Sequence, residues 1–153
     1  GHSRGGIAYA AFSADGSRAV VGSDETTAKV WDVTTGVELL TLKGHAARIT
    51  CASFSPDGSR VATGSQDGGV RVWDAKTGAE LLTVKALKYG LAFASFSPDN
   101  SRLVTADGYG PARVWDARTG AELFTLSGNR FGVTSPSFSP DGSRIVTGLG
   151  DWT

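Results

Sequence analysis

The sequence has no methionine, one cysteine and two histidines, and its fifteen Lys and Arg are cancelled by fifteen Asp and Glu. One thiol, Cys51, excludes an intrachain disulfide and a cysteine metal cluster. Its place in an apolar stretch is that of a buried rather than a reactive thiol. Two histidines exclude a histidine-rich metal site, and no phosphate-cradling glycine loop or catalytic carboxylate pair is present. Balanced charge leaves no electrostatic footprint for nucleic acid or an anionic membrane. No apolar run approaches the roughly 18 residues of a membrane span, and no signal-peptide pattern is present; the expectation is a soluble, cytoplasmic chain. The missing methionine carries another message. The sequence starts at Gly1 and stops at Thr153 partway through a repeated unit, so it reads as a fragment of a longer open reading frame.

What is present is repetition. Phe12, Phe54, Phe96 and Phe138 stand 42 residues apart, as do Trp31, Trp73 and Trp115, each tryptophan followed by aspartate. A period of this length marks a repeat architecture, whose function is sought in what the units do together and where they differ.

The second unit serves as reference. Residues 49–54 (ITCASF) are apolar and β-favouring, and Ser55, Pro56, Asp57 and Gly58 then supply a turn. Residues 60–64 read as a second strand and residues 70–74 as a third, with Val70, Val72 and Asp74 on one face and Arg71 and Trp73 on the other. The turn at Lys76, Thr77 and Gly78 leads to a fourth strand over residues 80–84. No turn-free stretch shows a helical apolar period. The class is therefore all-β, and a four-stranded sheet this small needs neighbours packed face to face.

The Gly44-His45 pair, the SFSPDGS turn, the TGSQDGGVRVWD segment and three Trp-Asp pairs in register together resemble the WD40-repeat β-propellers, of the bacterial multirepeat type. The resemblance covers essentially the whole chain. It implies a partial propeller over residues 1–153: blades at about 7–42, 49–84 and 91–126, and the inner half of a fourth at 133–153, fourteen strands in all.

The same resemblance implies a buried hydrogen-bonded set in each blade, which in the second unit falls on His45, Thr63, Asp67 and Trp73. These residue types suit the task, since an indole N–H only donates, a hydroxyl relays and imidazole bridges hydroxyl to carboxylate. A catalytic Thr-His-Asp reading is set aside because tryptophan completes the structural set. The first unit offers Ser3, Val21, Glu25 and Trp31; the third offers Leu87, Thr105, Tyr109 and Trp115, with histidine and aspartate both lost. The fourth offers Asn129, Thr147 and Asp151. Arg18, Arg60, Arg102 and Arg144 recur at one position and read as structural, covering the hairpin or pairing with Asp15, Asp57, Asp99 and Asp141.

The loops leading into each unit differ most. Through the resemblance they lie, with the turn after the second strand, on the narrow face of a propeller. Arg4, Arg48, Lys88, Tyr89, Tyr109, Arg130 and Phe131 then converge as a candidate partner-binding surface, of the composition found at hot spots. The competing reading is solvated loops drifting freely. The functional expectation is a non-catalytic protein-interaction scaffold, with a protein or peptide partner and no cofactor, nucleic acid or membrane. Two alternatives stand beside it: a complete short chain that self-assembles into a homo-oligomeric propeller, and a propeller enzyme.

Overall fold

The computed structural model describes residues 7–23, 26–85, 93–107, 109–126, 133 and 136–148. These residues form fourteen strands and no helix. The first sheet contains β1 (Ile7–Phe12), β2 (Arg18–Ser23), β3 (Thr27–Asp32) and β4 (Glu38–Lys43). The second contains β5 (Ile49–Phe54), β6 (Arg60–Ser65), β7 (Gly69–Asp74) and β8 (Glu80–Lys85). The third contains β9 (Phe93–Phe96), β10 (Arg102–Ala106), β11 (Ala112–Asp116) and β12 (Glu122–Leu126). A two-stranded sheet, β13 (Ser137–Phe138) and β14 (Ile145–Val146), follows. Each sheet is an antiparallel meander in chain order, the blade pattern of a propeller.

The turns explain why short strands form here. Between β5 and β6, Asp57 accepts hydrogen bonds from the hydroxyls of Ser55 and Ser59 and from the Ser59 N–H, while Gly58 takes the left-handed conformation at φ 71°. In the third sheet that left-handed position is held by Asn100 at φ 64°; asparagine is among the few side-chain residues that tolerate it. The aspartate after each tryptophan folds the next hairpin. Asp74 accepts the N–H groups of Lys76 and Thr77, and Asp32 and Asp116 do the same in their sheets. The Trp-Asp pair thus joins a packing residue to a turn residue.

The two faces of β7 divide as its alternation predicts, and both are covered. Val70 and Val72 pack into a cluster with Ala94, Phe96, Leu103 and Trp115 of the third sheet. Trp73 packs into another with Val20, Val30 and Leu42 of the first. A third cluster joins β10 and β11 to Val133, Phe138 and Ile145. The core therefore lies between blades, and each inner blade is sandwiched.

The recurring arginines are the second tie between blades. The Arg18 guanidinium donates to the carbonyls of Gly58 and Ala75 in the next blade and lies 5.3 Å from the centre of the Phe54 ring. Arg60 repeats this with Asn100, Ala117 and Phe96. These two arginines thus do not pair with the aspartates of their own hairpins, as expected from the sequence. Asp57 is already occupied by serines, and the fork reaches forward to two carbonyls that a planar guanidinium can engage at once. Arg60→Ala should lower stability by about 2 kcal/mol, the scale of a charge-assisted hydrogen bond in a partly open site. Arg60→Lys should recover less than half of it in chemical denaturation; full recovery by lysine would refute the forked geometry.

Candidate functional site

One end of the second blade is held together by a polar relay. His45, in the loop leading into β5, lies with Nδ1 3.1 Å from Asp67 Oδ2 and Nε2 2.8 Å from Thr63 Oγ1. Trp73 Nε1 donates to the same Thr63 oxygen at 2.8 Å. Asp67 also accepts the N–H groups of Ala46 at 3.0 Å and Gly69 at 2.7 Å. Thr63 comes from β6, Asp67 from the β6–β7 turn and Trp73 from β7, so three consecutive segments and the leading loop are tied at one point. Gly44 admits this arrangement, since a Cβ there would stand 2.7 Å from an Arg71 nitrogen and 3.1 Å from the Trp73 ring.

The donors and acceptors fix the direction of the relay. An indole N–H can only donate, so Thr63 accepts from Trp73 and passes its own proton to His45 Nε2. His45 then donates from Nδ1 to the ionised Asp67. Every group is satisfied with a neutral ring. Burial pushes the His45 pKa down, against the opposing pull of Asp67, so the ring is neutral at pH 7 and its contact with Asp67 is a hydrogen bond rather than an ion pair. Burial alone would raise the Asp67 carboxyl, but the Gly69 and Ala46 N–H groups and His45 outweigh it and hold it below the ordinary carboxylate range. Thr63 is fully buried, and its oxygen already accepts the Trp73 N–H, so the set lies inside the blade's packing.

The relay pins the variable loop. Ser65 Oγ donates to the Ala47 carbonyl at 2.9 Å, and Gln66 N donates to the Arg48 carbonyl at 2.9 Å. Arg48 is thereby carried on a backbone stitched to the β6–β7 turn. In the third blade Trp115 Nε1 donates to Thr105 Oγ1 at 3.0 Å. The relay's aspartate position holds Tyr109 in this unit, and a different carboxylate serves the turn. Asp107, two residues before the anticipated position, is buried and accepts the N–H groups of Tyr109 and Gly110 at 2.9 and 2.6 Å. The turn is anchored from a different register, and Tyr109 projects from it 83% exposed.

Of the candidate partner-binding residues, the structure therefore places Arg48 and Tyr109 on anchored loops at the equivalent ends of successive blades. Arg4, Lys88, Tyr89, Arg130 and Phe131 lie outside the described residues, as do Ser3, Glu25, Leu87, Asn129 and Asp151 of the other units. In the first blade, valine at position 21 pairs with Lys29 across the sheet and has no hydroxyl to relay a bond. Sequence reasoning passed over one feature of this end. A groove of about 330 Å³ opens beside Asp67, lined also by Ala46, Gly69, Arg71, Thr83 and Lys85. Arg71 stands opposite Thr83 and Gly69 opposite Lys85 in the β7–β8 register. A β-bulge at Trp73 sets that register, so strand alternation alone does not align these side chains.

Among the described residues no group of His, Cys, Asp and Glu could hold a metal ion. Cys51 is partly exposed as a residue, yet burial pushes its thiol up to about 11, in keeping with an inert sulfur.

Comparison with known proteins agrees with this architecture. The family model described as "WD domain, G-beta repeat" (WD40) matches residues 1–32, 36–74 and 120–153, more than half of the chain. The chain belongs to the WD40 repeat family. The unmatched stretch of this WD40 chain, residues 75–119, contains most of the third blade, where the histidine-aspartate pair of the relay is absent. A curated protein, the U3 small nucleolar RNA-associated protein 15 homolog of Xenopus laevis, is 39% identical over 51 residues. That match covers 33% of this chain and 10% of the frog protein.

Two outcomes follow for the relay. Asp67→Ala leaves three N–H groups without their acceptor and should destabilise by about 2 kcal/mol or more; an unchanged melting temperature would count against it. Because burial lowers the folded-state pKa of His45, the unfolded chain binds that proton more readily. Stability is then full above the unfolded value of about 6.5 and declines as pH falls below it, with Asp67 adding a further loss below about pH 4. The melting temperature should drop between neutrality and mild acid, and His45→Gln should flatten that slope; an equal slope in the variant would remove His45 from the account.

Proposed function

We propose that this WD40 chain is a non-catalytic protein-interaction scaffold that offers its relay-anchored loops to a protein or peptide partner. The single observation that carries the reading is the pinning of variable loops to a conserved-geometry blade end. Among the described residues, Arg48 follows backbone held by Asp67 and Ser65, and Tyr109 is displayed 83% exposed on a turn held by Asp107. A rigid scaffold presenting an aromatic and a basic side chain loses little conformational entropy on binding. Aromatic and arginine side chains dominate interface energetics.

The frog relative is named for association with a small nucleolar RNA. Here the equal numbers of basic and acidic side chains favour a protein surface over a nucleic-acid one. No step of chemistry is assigned to the chain; the one Thr-His-Asp arrangement is consumed by the relay. In the groove beside Asp67, Arg71 is already paired with Glu80 at 2.6 Å, so Lys85 is the cation there that suits a carboxylate brought by a partner.

Photo-crosslinking from position 109 in cells producing the full protein tests this. Discrete protein adducts are expected, each reduced at least about tenfold by Lys85→Glu, the loss of a charged contact being worth that much. A crosslinker placed at Leu81, on an outer strand, should give none of them. Identical adducts from both positions would sink the reading.

A further inference from the structure

The loop from Gly44 to Arg48 joins β4 to β5 and belongs to no strand. Contacts with the end of β6 and the turn after it hold it in place. The His45 ring is lodged between Asp67 and Thr63, the Ala46 N–H reaches Asp67, and the Ala47 and Arg48 carbonyls accept from Ser65 Oγ and Gln66 N. Within the loop His45 alone is buried, at 6% exposure, while Gly44, Ala46 and Arg48 are exposed. One side chain therefore docks the loop into the blade.

That side chain fits in one protonation state. A proton on Nε2 turns this nitrogen from an acceptor into a donor. Thr63 Oγ1 then meets two N–H groups, the second being that of Trp73, and its own hydrogen must find a new acceptor in a fully buried site. The charges that face the ring are Asp67 of the β6–β7 turn, Arg71 of β7 and Glu80 of β8. Asp67 favours the cation and Arg71 opposes it; Glu80 is paired with Arg71 at 2.6 Å, and burial outweighs Asp67.

Release of the ring does not require the blade to unfold, because the third blade is built without it. Leu87 takes the place of His45 in that unit's sequence, yet Trp115 Nε1 keeps its bond to Thr105 at 3.0 Å and Asp107 holds the Tyr109 and Gly110 N–H groups. The same bonds remain in the second blade once the loop has left: Trp73 to Thr63, and Gly69 N–H to Asp67 at 2.7 Å. What goes with the loop is part of the groove, since Ala46 and Asp67 both line it.

We propose that His45 is an acid-operated latch: its protonation releases the Gly44 to Arg48 loop while the blade stays folded, and so dismantles the groove beside Asp67. The consequence for a partner rests on the scaffold reading above; the latch itself does not. The released ring takes up a proton at the ordinary histidine value of about 6.5, the docked ring at a lower pH. The docked loop is thus favoured above that value and loses ground as pH falls through it. Asp67, held below the ordinary carboxylate range, stays ionised throughout.

Residue-resolved amide exchange of the full 153-residue chain tests the latch, with each rate normalised to the intrinsic rate at the same pH and no partner present. Between about pH 7.5 and about pH 5.5 the Ala46 and Gln66 N–H groups, which bond between loop and turn, should lose protection about tenfold, the linkage of one proton across that range. Gly69 N–H, bonded within its own turn, and Tyr109 and Gly110 N–H, on the histidine-free blade end, should hold theirs. His45→Gln keeps a hydrogen-bonding side chain but removes the titration, so Ala46 and Gln66 should become insensitive to pH. Equal losses at Ala46, Gly69 and Gly110 would mean unfolding of whole blades and overturn the proposal. So would unchanged protection at Ala46 and Gln66, or the same pH dependence in His45→Gln. If that variant does not fold, the comparison of Ala46 with Gly110 in the wild-type chain decides alone. A failure to crosslink from position 109 bears on the scaffold reading and leaves these outcomes standing.

Discussion

A buried indole N–H must find an acceptor, and much of this structure can be traced to how Trp73 meets that constraint. The ring is 2% exposed, lodged between the first and second blades. Its hydrogen goes to Thr63 Oγ1, which obliges the hydroxyl to pass its own proton on, which in turn calls for an imidazole lone pair and finally a carboxylate. The packing residue that cements two blades is thus the first donor of the chain that fixes the leading loop. Where a blade omits a member, as the third does, the indole–threonine bond survives and the turn is anchored by Asp107. Loop variety and blade constancy are then compatible, because the anchoring groups lie beneath the variable ones.

The second organising device is directional. Arg18 and Arg60 reach forward, from the hairpin of their own blade to carbonyls of the next, and lie over the phenylalanine that ends the next inner strand. Asn100 adds a bond in the opposite sense, its side-chain oxygen accepting the Asp57 N–H. Blades are therefore not interchangeable slabs held by hydrophobic contact alone; they carry a front and a back. A polarity of this kind lets identical units stack in one order only and leaves different chemistry at the two ends of the stack.

The fold was legible in the sequence to an unusual degree. Repeated Phe, Trp-Asp and SPDGS positions restate each blade, so a turn read uncertainly in one unit is read again in the next. The relay in the second blade was legible only through the resemblance to the WD40 repeats, since the other units lack members of it. The forward reach of Arg18 and Arg60 was not: a residue that recurs at fixed spacing beside an aspartate suggests a local pair, and its true partners are 40 and 57 residues away. Asp107 was missed as an anchor because the turn after β10 carries its carboxylate at a shifted position, which a fixed period does not detect. The groove at Arg71, Thr83 and Lys85 depends on a bulge that resets the register by one residue, and a one-residue shift exchanges the faces of a strand.

By itself the sequence determined the all-β class, the unit length and the turns, because these depend on local dihedral preferences and on periodicity. Tertiary structure alone decided which blade each side chain serves. Both faces of β7 are buried because neighbours lie on both sides, and Phe12 is bare where Phe54 and Phe96 are covered. Such differences arise between residues of the same type at the same position of the repeat. A repeated sequence gives each unit the same instructions, and only the neighbour that a unit meets determines whether a given face becomes core or surface.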